Sequence, residues 1–354
     1  MKIVQRLYLK DFLKLLFLLT TGLSGIFSLL DMIDKIGSFQ PGRSSALDLA
    51  LYASYNIPRF FLYLLPMSVL ICSLFTFSQA FRRKEITAIK AAGGRLRRLF
   101  YPFIGMGVAL SVLAFVTGEI VAPDFSKRAV DLRNTLEGKT KRINVTEGGL
   151  WLRCKDGNPA KIDVYDPEKR SAGGISIFII GNDSLRQRIS AEKANWKDGA
   201  WVLEKVTQYD FATGEITHLG ALKFDALESP DFFSEELKST GEMGIRELYR
   251  YTQRLNRAGF RNAKLAVDLD SKISFPLVSL FMMMLGISLS LRGSLGGGLF
   301  SAGLGLMISL VYWLSYTFSL SMGYAGVFPA FVSAWTIPSL FGALSVYLFL
   351  HIPE

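Results

Sequence analysis

The residue types that announce catalysis are sparse in this sequence, and their spacing does not assemble a reaction centre. No G-x-x-x-x-G-K-[ST] loop, H-E-x-x-H pair or G-x-S-x-G elbow occurs. The glycine cluster Gly293 to Gly298 lacks the following Lys-Ser/Thr that would touch phosphates. His218 and His351 lie far apart with no Cys nearby, so neither a metal site nor a cofactor is expected. Cys72 and Cys154 fall in different parts of the chain and are not expected to form a disulfide. With no acid–base pair and no nucleophile constellation, a membrane enzyme acting on lipid is disfavoured.

The chemistry left is ionic. Asp31, Asp34, Lys35, Arg59 and Glu119 stand at the borders of apolar runs, where a charge costs little if it snorkels. Lys35 and Arg59, joined by Lys127, Arg128 and Arg133, would form a cationic collar at the level of lipid phosphates. Ordinary headgroup anchoring and selective binding of a strongly anionic lipid both fit that collar. A second cluster, Glu85 to Gly94, reads as a short helix: Ile86, Ile89 and Lys90 share a face, Glu85 favours the N-terminus and Gly93-Gly94 end it. Such a helix either lies in the interface or docks into a soluble partner.

Helices must position these residues. The chain has 354 residues, 50% hydrophobic and only 20% charged, too apolar for an ordinary soluble domain. Apolar runs near 12–33, 58–80, 99–121, 273–291, 299–320 and 328–351 each have roughly the ~20 residues that a ~30 Å hydrocarbon layer requires. The first run is too long, and lacks the cleavage site, for a signal peptide. Lys2, Arg6 and Lys10 precede the first run, and Arg82, Arg83, Lys84, Lys90, Arg95, Arg97 and Arg98 follow the second. Both groups should face the cytoplasm, with both termini, which puts 122–272 outside. About half of the basic excess behind the net charge of +10 sits in these topology-setting loops, so nucleic acid is not expected as a partner. Gly298-x-x-x-Ala302 and Ser301-x-x-x-Gly305 place small residues on one helix face, for close packing or for a seam that opens and closes. Met282 to Met284 read as filling at a helix interface.

Between 122 and 272 the pattern changes to short strand-like runs: Gly149 to Cys154, Ala160 to Tyr165, Ile175 to Ile180, Trp201 to Tyr209 and Thr217 to Phe224. Turn residues separate them, and Asp198-Gly199 between Trp196 and Trp201 reads as a hairpin. About seven or eight short strands without intervening helices fit a sandwich or jelly roll. From 244 to 264 a surface helix is expected, with Ile245, Leu248, Tyr251, Thr252 and Leu255 on one face and basic residues around the rest. The expected fold is a six-helix, 3+3 membrane bundle with an inserted all-β domain. Its parts are 1–121, with a cytoplasmic helix over 85–94, then 122–272, then 273–354.

Several segments carry a family resemblance: Arg82 to Gly94, Gly118-Glu-Ile-Val-Ala-Pro123, Gly148-Gly-Leu-Trp151 with Lys155-Asp-Gly157, Gly173-Gly-Ile-Ser-Ile177, and Lys272 to Pro276. Together, in this order and topology, they resemble the LptF/LptG (YjgP/YjgQ) permeases of lipopolysaccharide export, with the Gly-Leu-Trp and Gly-Gly-Ile-Ser-Ile segments more like LptG. The resemblance implies a non-catalytic half-transporter in the inner membrane of a Gram-negative bacterium. It would pair with an LptF-like (or LptG-like) subunit, an LptB-like ATPase dimer and an LptC-like protein, with a periplasmic jelly roll starting the lipopolysaccharide bridge. Glu85 matches the family's acidic residue in the ATPase groove, with Arg83, Ile86, Ile89 and Gly93 completing the coupling segment. Lys35, Arg59 and Arg133 match basic positions near lipid phosphates, to which the collar adds Lys127 and Arg128. Some members carry a further Lys where this chain has Ser28. The competing reading is a membrane-anchored scaffold or sensor without transport activity.

Overall fold

A computed structural model describes residues 2–39, 45–94, 96–137, 143–144, 150–154, 156–166, 170–181, 184–197, 199–211, 213–227, 229–230, 240–257, 262–292 and 298–352. The glycine run 293–297, the turn residues Lys155, Asn182, Asp183 and Asp198, and Gly148-Gly149 therefore lie outside the described residues. The chain divides into two compact units: 1–132 with 240–253 and 261–354, and 133–239 with 254–260.

Six helices of the first unit are long and apolar enough to cross a membrane. The first, α1, covers Lys2–Ile36 and the second, α2, Ala46–Arg82. After α2 come the short helix α3 (Glu85–Ala91) and then α4 (Leu96–Val116), which passes through a wide π-turn at Thr117–Val121 into α5 (Ala122–Leu136). Helix α6 (Ile245–Arg257) precedes α7 (Ala263–Ser290), α8 (Gly298–Tyr324) and α9 (Ala330–Leu350).

Two boundaries differ from the sequence reading, each for a local reason. Helix α2 starts twelve positions before Pro58 because Ser45 builds a capping box: its hydroxyl accepts the Leu47 N–H (3.4 Å) and Asp48 accepts the Ser45 N–H (3.1 Å). Arg59 therefore lies inside α2 rather than opening it. The third span does not stop before Pro123. A proline ring clashes with the carbonyl four residues back, here that of Glu119, and the π-turn that holds Glu119 relieves the clash without ending the helix.

The bundle core is aromatic at the end where both chain termini lie. Phe77 meets Phe100 and Phe103 edge-to-face at 5.1 and 4.9 Å, and Phe12 meets Phe103 at 6.2 Å. This ties α1, α2 and α4 together. Gln5 donates to the Arg98 carbonyl (2.7 Å), and Arg97 to that of Leu350 (2.8 Å), so the starts of α1 and α4 adjoin the end of α9. Elsewhere small residues set the spacing. A Cβ on Gly286 of α7 would sit 1.8 Å from the Ser73 hydroxyl of α2, and one on Gly323 of α8 would sit 2.2 Å from that of Ser333.

The second unit is a seven-stranded antiparallel sheet, β1 (Ile143–Asn144), β2 (Leu150–Arg153), β3 (Pro159–Asp166), β4 (Ser171–Gly181), β5 (Ser184–Lys197), β6 (Ala200–Asp210) and β7 (Ile216–Phe224). The strands from β3 to β7 pair in sequence order, with β1 and β2 both against β3. The expected hairpin is present: Trp196 pairs with Trp201, their rings 5.5 Å apart, and Gly199 takes φ +79°. A line of irregularity crosses the sheet. Asp163, Gly174, Glu192, Lys205 and Gly220 fall opposite one another by register, and none is a ladder partner. On each of β3 to β6 the buried positions there are three apart rather than two: Ile162 and Tyr165, Ala172 and Ile175, Ala191 and Ala194, Leu203 and Val206. Gly174 (φ +65°) and Lys205 (φ +52°) supply left-handed backbone, and a Cβ on Gly174 would sit 2.5 Å from an Asp163 carboxylate oxygen. The count of residues stays equal on the paired strands across this line, and the one shift of register lies further along, between Ile179 and Ile180 of β4 against β5. The sheet's core lies around Trp201, Tyr165 and Ile177.

Candidate functional site

At the end of the bundle that holds both termini, α3 is a two-turn helix interrupted on both sides. Lys84 before it has φ +59°, and Gly93 after it has φ +75°. Gly94 must also lack a side chain, since a Cβ there would sit 2.8 Å from the Ile89 carbonyl oxygen. Side chains therefore fix the helix in place. Ile86 is buried at 2% exposure in the core that includes Phe77 and Phe100, and Ile89 packs beside it. The Glu85 carboxylate accepts a hydrogen bond from the Tyr8 hydroxyl of α1. Arg83, Lys84, Thr87, Ala88 and Lys90 are exposed, which leaves one face of the helix open beside its single carboxylate.

At the opposite end the expected collar separates into different situations. Lys35 is paired with Asp31 (2.6 Å) and donates to the Tyr52 hydroxyl (3.1 Å), which donates to the other Asp31 oxygen (3.0 Å). Arg59 stands over the Tyr63 ring at 6.0 Å, and Arg128 over the Phe125 ring at 5.8 Å. Phe125 in turn meets Tyr55, one turn before Arg59 on α2, at 6.0 Å, so α2 and α5 bring these two guanidinium groups to neighbouring positions. Lys127 is half-buried on α5. Among the described residues no carboxylate pairs with Arg59, Lys127 or Arg128. Arg133 belongs to the second unit and pairs with Glu137 at 2.6 Å. Ser28 is buried and donates to the Ala53 carbonyl, so a helix–helix contact occupies its position.

The small residues of α8 also differ in role. A Cβ on Gly298 would sit 2.6 Å from the Phe75 ring, and one on Gly305 would sit 3.1 Å from Ile71 and Leu74, so both face α2. Ala302 is only half-buried. All the buried residues on α8 are Ser, Gly or Tyr, while Leu306, Met307, Leu310, Trp313 and Phe318 point outward. That is the arrangement expected of a helix with an apolar surrounding and a small-residue seam.

One joint was not visible in the sequence. Glu119, inside the π-turn, accepts the Ile245 N–H at the start of α6 (2.5 Å), and Gly244 leaves room for it. Lys272 on α7 donates to the Met243 carbonyl (2.8 Å). Glu119 and Ile245 are 126 positions apart, so only the fold reveals that the same short segment, Met243 to Ile245, is held by both the third and the fourth span. The one signal in the sequence was an acidic residue at a membrane border beside Pro123.

Six spanning helices, three before and three after an inserted antiparallel sheet, define a multi-pass membrane protein with an extramembrane β domain. The chain belongs to the lipopolysaccharide export system permease family LptF/LptG, whose family model matches residues 6–351. It is thus a lipopolysaccharide export permease, a transport subunit without a catalytic role of its own. A search of curated proteins returned no match.

Proposed function

We propose that the chain is one half of an ATP-driven exporter that extracts lipopolysaccharide from the inner membrane of a Gram-negative bacterium. Its termini and α3 face the cytoplasm, where an LptB-like ATPase dimer receives Glu85 and the exposed face of α3. A second permease subunit, LptF-like or LptG-like, completes the cavity, and an LptC-like protein continues the periplasmic path from the β domain. The observation that carries this reading is α3 itself, hinged at Lys84 and Gly93, plugged into the bundle by Ile86, and presenting an open face with one carboxylate. Closure of the ATPases on bound nucleotide displaces α3, and the bundle passes the displacement to the lipid. Arg59, Lys127 and Arg128 hold the lipid phosphates at the opposite end. Lys35 contributes less, because Asp31 already neutralises it.

Co-purification tests the reading. The detergent-solubilised chain should bring down a soluble ATPase and a second six-helix subunit. Glu85→Ala should lose most of the ATPase, and unchanged recovery removes Glu85 from that interface. The purified chain alone should hydrolyse no ATP.

A further inference from the structure

Helix α3 is too short and too interrupted to hold its own direction. With left-handed residues at Lys84 and Gly93, its orientation depends on the side chains that anchor it. Ile86 is an apolar plug, which fixes depth but leaves the helix able to turn about its own axis. One polar anchor is the hydrogen bond from Tyr8 to Glu85, which reaches from α1 across 77 positions of sequence; Lys90, at the other end of α3, also has a partner. Tyr8 is itself immobilised. It is 7% exposed, and its ring stands edge-on to Phe77 at 6.4 Å, within the aromatic cluster that α2 and α4 share. Its hydroxyl therefore comes from a fixed direction and engages Oε2 of the carboxylate. Among the described residues no second donor reaches Glu85, so Oε1 is left for a donor from outside the chain.

We infer that Tyr8 is a positioning residue that sets the direction of the Glu85 carboxylate and couples displacement of α3 to α1. This rests on the proposed role of α3 as the ATPase contact. A phenol bonded to a carboxylate at a partly buried position is a directional, charge-assisted link. Helix α1 suits a driven element, since it packs on α2 and leaves Phe17, Leu18, Ile26, Leu29, Leu30 and Ile33 exposed. Force arriving at Glu85 then enters α1 through Tyr8 as well as α2 through the chain itself.

The test uses the assembled exporter in lipopolysaccharide-containing proteoliposomes. Tyr8→Phe keeps the ring and its edge contact with Phe77 and removes only the hydroxyl. The variant should lose less of its bound ATPase than Glu85→Ala does, while lipopolysaccharide extracted per ATP hydrolysed falls by about tenfold, the scale of losing one hydrogen bond to a charged group. A purely structural hydroxyl would lower melting temperature and leave that ratio alone. Extraction per ATP equal to wild type, with Glu85→Ala still losing the ATPase, overturns the inference and leaves the proposed function standing. Glu85→Ala that retains the ATPase overturns the proposed function itself. If Tyr8→Phe releases the ATPase as fully as Glu85→Ala does, the hydroxyl serves attachment, and the inference is overturned in that form too.

Discussion

The two ends of the helix bundle hold charge in opposite ways. At the end with both termini, one carboxylate is gripped by a buried phenol beside a buried isoleucine, on a helix that left-handed residues isolate from its neighbours. At the other end, Arg59 and Arg128 are exposed and rest over aromatic rings, with no carboxylate of the described chain to neutralise them. A folded protein partner presents donors at fixed points, so a site for it gains from rigidity. Lipid phosphates move and vary in position, so a site for them gains from long cations with freedom to follow. The difference is the one the proposed function requires, with an ATPase at one end and lipid at the other.

The sharpest way to break this contrast is Ile86→Ala. It removes the plug from a nearly fully buried site, at a cost of about 2–5 kcal/mol on the scale of large-to-small core changes, and α3 should detach. Loss of bound ATPase comparable to Glu85→Ala is expected in pull-down; full retention would mean that α3 is held by something other than its burial. Next in size is Arg59→Ala with Arg128→Ala. The double variant should reduce lipopolysaccharide binding to the purified complex by roughly tenfold, since both guanidinium groups are exposed and each solvent-screened contact is worth up to about 1 kcal/mol. Its ATPase recovery should stay unchanged, and a change there would erase the division of labour between the ends. The smallest effect is expected from Lys35→Met, where Asp31 already takes up the charge. Its lipopolysaccharide affinity should fall by less than that of either single arginine variant, and a larger fall would show that Lys35 leaves Asp31 for the lipid.

Much of this architecture was legible in the sequence because apolar length and basic loops are strong signals. The six spans, the short helix from Glu85, the Trp196–Trp201 hairpin and the inserted β domain all follow from local pattern. Strand β5 was not among the runs read from sequence because its inward side chains are Ile189, Ala191 and Ala194, two of them too small to mark a buried face. The passage through Pro123 was hidden because a π-turn leaves no compositional trace. The pairing of Lys35 with Asp31 was legible in principle, as the two are four residues apart on one helix. Reading every border cation as a phosphate ligand obscured it. Contacts between distant segments, Tyr8 with Glu85 and Glu119 with Ile245, have no local signature at all.

The most direct measurement joins the two ends. A photocrosslinker at position 59 in the assembled exporter should form adducts with lipopolysaccharide that change in yield when ATP is added, and Glu85→Ala should abolish the ATP response while leaving the resting adduct. Adducts to protein alone, or an ATP response that survives Glu85→Ala, would contradict the account.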